Sequence, residues 1–303
     1  MDFKFGAPEI HLADLKIIEQ QSPDIIAYAI PAVAFFTALE FFISWYQNRK
    51  LFEAKETLGS ILVGMGNLGI NMGLKIVLIY AAIWAYNFVP WRMSLSWWTL
   101  VPCYVIFDFC SYWSHRISHF NRFFWASHVV HHSAHHYNLT VSFRQSWAQH
   151  FKLLFFIPLA FVGFHPVIFF VSHQIAVLYQ FWVHTEYIGK LHPFIEYFLA
   201  TPSNHRVHHG SNERYIDKNF AATFIFWDRI FNTYQCEDEK PVFGITSGLK
   251  SKIDPFYLNF HEYVDILKDI KKAQGFKAKM HYLFGSPRTI AYEKKRSVKN
   301  HDI

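Results

Sequence analysis

Leu153–Val183 contains no Asp, Glu, Lys or Arg, and three other stretches are almost as bare of charge. Ile25–Tyr46 holds only Glu40, Ile61–Val89 only Lys75, and Leu95–Trp113 only Asp108. A chain segment in hydrocarbon must satisfy its backbone polar groups internally, so such stretches can only become helices packed in a membrane or a core. A spanning helix needs roughly 20 apolar residues, which the first three stretches supply. The fourth is too long for one simple span and is broken at Gly163-Phe164-His165-Pro166. It reads as a helical hairpin that enters and leaves on one side. The expected fold is therefore all-α and integral to a membrane, with about four spanning helices including that hairpin.

Charge outside these stretches sets the expected orientation. Arg49-Lys50 follows the first span and places that loop in the cytoplasm by the positive-inside rule. The second span then runs outward, Asn87–Ser94 turns, and the third returns to the inner side near His115-Arg116. The chain reads as one domain over 1–303, with a polar N-terminal segment (1–24), membrane helices (25–200) and a cytoplasmic helical cap with a basic tail (201–303). Phe256, Phe260, Tyr263, Ile266 and Ile270 recur at helical spacing in the cap. The net charge of +6 gathers near Lys268–Lys279 and Lys294–Lys299 and suits anionic membrane lipid. No basic–aromatic groove points to nucleic acid. The polar first twenty residues do not resemble a cleavable signal peptide. Cys103, Cys110 and Cys236 form no CxxC and suggest no disulfide frame.

Fifteen of the nineteen histidines fall between His115 and His209. They include His115-x3-His119, His128-x2-His131-His132 and His205-x2-His208-His209. Residues i and i+4, or i and i+3, share a helix face, so each cluster is expected to aim its imidazoles at one point. The expected topology brings all three to the cytoplasmic side. Eight imidazoles exceed the roughly four to six ligands of one first-row ion, so two metals are expected. His184, ending the hairpin, is a ninth candidate, since an ionisable group at a membrane boundary suggests function. Asp108, Glu186, Asp217 and Asp228 are candidate carboxylate partners for the rings' second nitrogens. His11, His150, His165, His173, His192, His281 and His301 read as ordinary polar residues, and His135 and His136 as peripheral. A purely structural zinc site would favour Cys, and calcium or magnesium would favour oxygen. Iron suits imidazoles beside an apolar substrate.

Some patterns are excluded. Gly64-x-Gly66-x-x-Gly69 lies in an apolar span with no strand before it, so it is not a nucleotide motif. Its neighbourhood, with Gly69-x3-Gly73 and Ser60-x3-Gly64, reads as close helix packing. There is no haem CxxCH or ferredoxin cysteine pattern, so electrons must come from a separate donor.

The chain resembles the fatty acid hydroxylase / sterol desaturase superfamily of membrane di-iron enzymes, most closely its alkylglycerol-monooxygenase-type branch with bacterial members. The likeness rests on Asp108–Arg116, His131-His132-Ser133, Tyr137-Asn138-Leu139 and Phe143–Ser146. It continues in His184-Thr185-Glu186, Thr201–Gly210, Ile216–Asn219 and Trp227–Phe231. It departs at Phe120, His135, Asn204 and Ala221-Ala222. The resemblance implies two iron ions held by the eight clustered histidines and His184. It further implies O2 and a lipid of alkylglycerol, sterol or fatty-acyl type as reactants, with an unactivated C–H bond hydroxylated. The reductant would be external, of pterin, ferredoxin or cytochrome b5 type. The expected location is a bacterial inner membrane, or the endoplasmic reticulum of a eukaryote, with the site facing the cytoplasm. Desaturation by the same centre, and a non-enzymatic membrane metal-binding or transport protein, are the alternatives.

Overall fold

The computed structural model describes residues 6–246 and 248–299; His301 lies outside them. Every regular element among these residues is helical. α1 (Leu15–Gln21) precedes α2 (Ile25–Tyr46), which Asp24 caps by accepting the Ala27 N–H. α3 runs over Ala54–Phe88. At 1.5 Å per residue its 35 residues extend about 52 Å, well beyond a hydrocarbon core of ~30 Å. α4 covers Leu100–Phe120 and leads through α5 (Arg122–Ala126) to α6 (Val129–His132). A 3₁₀ run at Gln149–Phe156 joins α7 (Ile157–Ala160), and α8 (Pro166–Trp182) follows. The cap holds α9 (Pro193–Phe198), α10 (Pro202–His209), α11 (Phe226–Ile230), α12 (Pro255–Lys272), α13 (Phe276–Phe284) and α14 (Pro287–Lys299).

Two expectations change here. Among the described residues only α2 and α3 are long and apolar enough to cross a membrane by themselves. α4 passes the end of its apolar stretch at Trp113 and continues to Phe120, so Asp108, His115, Arg116 and His119 dilute it. The hairpin is asymmetric. Its first arm is the 3₁₀ run plus the single turn of α7, and its second is the 17-residue α8. The chain reverses at Gly163, whose φ of +89° suits glycine. Its carbonyl accepts the Met93 N–H, joining this turn to the one after α3.

The glycine pattern also divides. Gly69 and Gly73 face open space, so they pack no helix. Gly64 lies against Phe143 and Gly66 against the Trp147 ring, so α3 admits irregular chain segments there.

Packing fixes which end of the bundle carries the histidines. α4 and α8 bury Cys103, Phe107, Cys110, Ile168 and Ala176 between them. Asn87, at the end of α3, exchanges hydrogen bonds with Ile10, so the N-terminal segment covers one end of the bundle. At the opposite end the Glu56 carboxylate accepts the backbone and ring N–H groups of His135 and His136 and pairs with Lys252. Arg144, fully buried, reaches the Glu56 carbonyl, Ser60 and Ser133. All three histidine clusters converge at this second end.

Candidate metal centre

The nine predicted histidines meet, but not cluster by cluster. His115, His119, His128, His132 and His208 form one group, and His131, His184, His205 and His209 another. Within each group one nitrogen per ring lies within 4.8 Å of the others. The expectation that each cluster aims at one point is corrected by helix geometry. Successive residues diverge by about 100°, so His131-His132 and His208-His209 each serve both groups. The i, i+4 pairs His115/His119, His128/His132 and His205/His209 stay together.

The four-membered group is a closed ring of Nε2 atoms. His131–His184, His184–His205, His205–His209 and His209–His131 are separated by 3.2, 3.0, 3.2 and 3.1 Å. A neutral ring nitrogen either donates or accepts, never both. Each donor supplies one hydrogen, so at most two of these four contacts can be full hydrogen bonds. Nitrogens bound to one cation at about 2.0–2.1 Å and 90–110° apart would stand roughly 2.8–3.4 Å from one another. The ring fits a shared cation. In the five-membered group, His115–His128, His128–His132 and His132–His208 Nε2 separations are 2.8, 3.1 and 3.1 Å. The buried Nε2 of His119 has no hydrogen-bond partner. That orphaned atom also fits a cation.

Backbone carbonyls, rather than the expected carboxylates, orient most of the rings whose outer nitrogen is bonded. His115 Nδ1 meets the Phe220 carbonyl at 2.7 Å, His208 Nδ1 that of Lys218 at 2.9 Å, and His184 Nδ1 that of Gln180 at 2.6 Å. A carbonyl can only accept, so each Nδ1 carries the proton and each Nε2 presents its lone pair. Asp217 approaches His119 Nδ1 at 3.5 Å. Asp228 touches none of the nine rings. It accepts the Phe220 and Ala221 N–H groups and the Thr233 hydroxyl. Asp108 likewise accepts the Thr223 and Phe224 N–H groups and the Trp227 indole N–H. The segment 217–224 is thereby one clamp, with the two aspartates holding its backbone and its carbonyls holding the rings. Glu186 hydrogen-bonds no ring. It lies in the field of Arg49, Lys240 and Arg206, and burial raises its carboxyl.

Burial, then repulsion among neighbouring rings, holds His131, His132, His205 and His209 well below the ordinary imidazole value. They stay neutral, as ligands must. Two contributors were not predicted. Lys152 Nζ lies 3.2 Å from His128 Nδ1, and burial pushes its ammonium down to about 7. Nothing in the sequence spacing links a lysine 24 residues onward to that ring. Glu40 crosses from α2 to accept the Leu139 N–H at 2.7 Å and the Thr185 hydroxyl, beside His184. Its being the lone charge of an apolar stretch was the available signal. Trp125 and Phe220 wall the five-membered group, and Tyr137 packs on His184 and His209.

Nine imidazoles in two adjoining groups, carried at one end of a bundle of apolar helices, define a histidine-centred membrane-type helical protein. Residues 100–233 match the fatty acid hydroxylase family. The chain is similar to the alkylglycerol monooxygenases of Xenopus tropicalis (35% identity) and Homo sapiens (35%), covering 88% of this chain and 59% and 60% of those proteins. That of Danio rerio is 32% identical, again over 88% of this chain and 60% of its own length. The chain thus spans about three fifths of these curated relatives. No solved structure matches it.

Proposed function

We propose that this protein is a membrane-bound non-haem di-iron monooxygenase that hydroxylates an unactivated C–H bond of a lipid of alkylglycerol, sterol or fatty-acyl type. The observation that carries the reading is the pair of imidazole groups, each with bare nitrogens spaced for one cation. The names of the similar proteins support the reaction type. Bound iron would supply O2 reduction and removal of a hydrogen atom from the substrate carbon, with electrons from a separate donor.

The chain's own residues would prepare that chemistry. The nine histidines would hold the ions, and protons fixed on His115, His184 and His208 Nδ1 keep the inner nitrogens bare. The 217–224 clamp would hold ring positions to the accuracy that oriented reactants require. Trp125, Phe220 and Tyr137, packed on the rings, would exclude water from them. The apolar surfaces of α2 and α3 would bring the substrate in from the bilayer, with the centre on the cytoplasmic side. The test is iron analysis of the full chain in detergent, combined with a labelled-O2 product assay on the three lipid types. About two irons per chain and one labelled oxygen atom per product are expected. A double bond without label would redirect the reading to a desaturase. One zinc and no turnover of any lipid would refute it.

A further inference from the structure

The apolar residues of α12 occupy two faces. Leu258 is buried with Val63 and Val130, and Ile266 is buried as well. Phe256 (65% exposed), Phe260, Val264 and Leu267 (59%) are exposed. At 100° per residue these four fall within an arc of about 80°. A stripe of that kind on a water-facing cap would be unfavourable.

Its surroundings indicate what covers it. Trp147 packs against Phe256 and Phe260, with ring centroids at 5.1 and 6.2 Å. The same indole donates to the Val63 carbonyl and lies against Gly66, in the apolar stretch of α3. On that side α3 leaves Leu62 part-exposed and Gly69, Gly73 and Val77 open. The stripe therefore continues the exposed apolar surface of α3 rather than standing apart from it. Its other border is basic. Lys268, Lys271 and Lys272 close α12, and Lys277 and Lys279 are exposed on α13. An apolar stripe flanked by lysines, level with a membrane helix, is the pattern of a helix lying in a bilayer surface. Lysine stems can cover apolar surface while their ammonium groups reach acidic phosphates.

We propose that α12 lies in the plane of a leaflet with acidic headgroups, its Phe256–Leu267 stripe sunk to the acyl boundary. The proposal rests on the membrane reading of α3 but not on metal or oxygen transfer.

The test uses the full chain with Cys236→Ser, reconstituted in discs of phosphatidylcholine with phosphatidylglycerol; Cys103 and Cys110 are buried. A polarity-sensitive fluorophore is placed in turn at Phe260→Cys, Leu267→Cys, Asp265→Cys and Met72→Cys. The expected result is loss of emission to a lipid-borne quencher, with protection from iodide, at positions 260, 267 and 72. Position 265 should show the reverse. Omitting phosphatidylglycerol should weaken lipid quenching at 267; unchanged quenching would overturn the acidic-headgroup requirement. Iodide access at 260 and 267 equal to that at 265 would overturn the proposal, as would protection from both quenchers, which a protein partner or second copy would give. Iodide access at position 72 would instead remove the membrane reading and the proposal with it.

Discussion

Asn219 has a left-handed backbone (φ 54°) between the two carbonyls that orient His208 and His115. Its side chain ties that turn to Asn204 and Gln235. Alanine there meets a conformational cost of roughly 1–2 kcal/mol and forfeits those bonds. Asn219→Ala should weaken metal binding by the five-membered group about 10–100-fold, as loss of an outer partner typically does. Binding by the four-membered group should persist, and competition with a chelator separates the two. His131→Ala and His132→Ala, though adjacent, should empty different groups. Each should abolish turnover and lower iron by about one per chain, and identical spectra of the remaining iron in both variants would refute the division. Glu40→Gln leaves one of two buried donors without a proper acceptor, an expected loss of ~1–3 kcal/mol in thermal unfolding. At this scale the histidines were legible because i, i+4 arithmetic needs only a helix. Lys152 was not, because its meeting with His128 depends on how the 3₁₀ run at Gln149–Phe156 packs.

Between elements, Arg122 fastens the start of α5 to the cap. Only 3% exposed, it pairs with Glu262 and Asp269 of α12 at 2.6 Å each and also reaches the Tyr282 carbonyl. Removing one partner from a buried ionic network strands the others, so Arg122→Ala should cost roughly 3–5 kcal/mol. Hydrogen exchange should report the loss first in α12 and α13. The helical stretches themselves were legible from apolar runs and caps. Their ends were not, since hydropathy cannot register that α4 continues beyond Trp113 as a polar helix bearing His115 and His119. Nor could a charge-free run reveal that the first arm of the hairpin is largely 3₁₀.

For the whole molecule, cap docking should depend on pH. Burial raises the Asp269 carboxyl, but Lys294 and Arg122 more than offset this and hold it below its ordinary value. A carboxyl depressed in the folded state contributes stability above its unfolded value, near 3.8. That contribution is lost as pH falls through the folded value. Thermal unfolding in detergent should show this extra acid sensitivity, and Asp269→Asn should remove it. The chain's topology was readable to the extent that all three clusters reach one end of the bundle. The sharing of rings between groups needed the fold.

That sharing makes the peptide backbone a gauge. Because His131-His132 and His208-His209 are covalent neighbours that face different groups, the distance between the groups is set by the pitch of two short helices. Neither group can drift from the other without unwinding a turn. Inserting or deleting a single residue inside either dipeptide's helix should therefore disable both groups together, whereas the same change in the loop before α10 leaves the gauge intact.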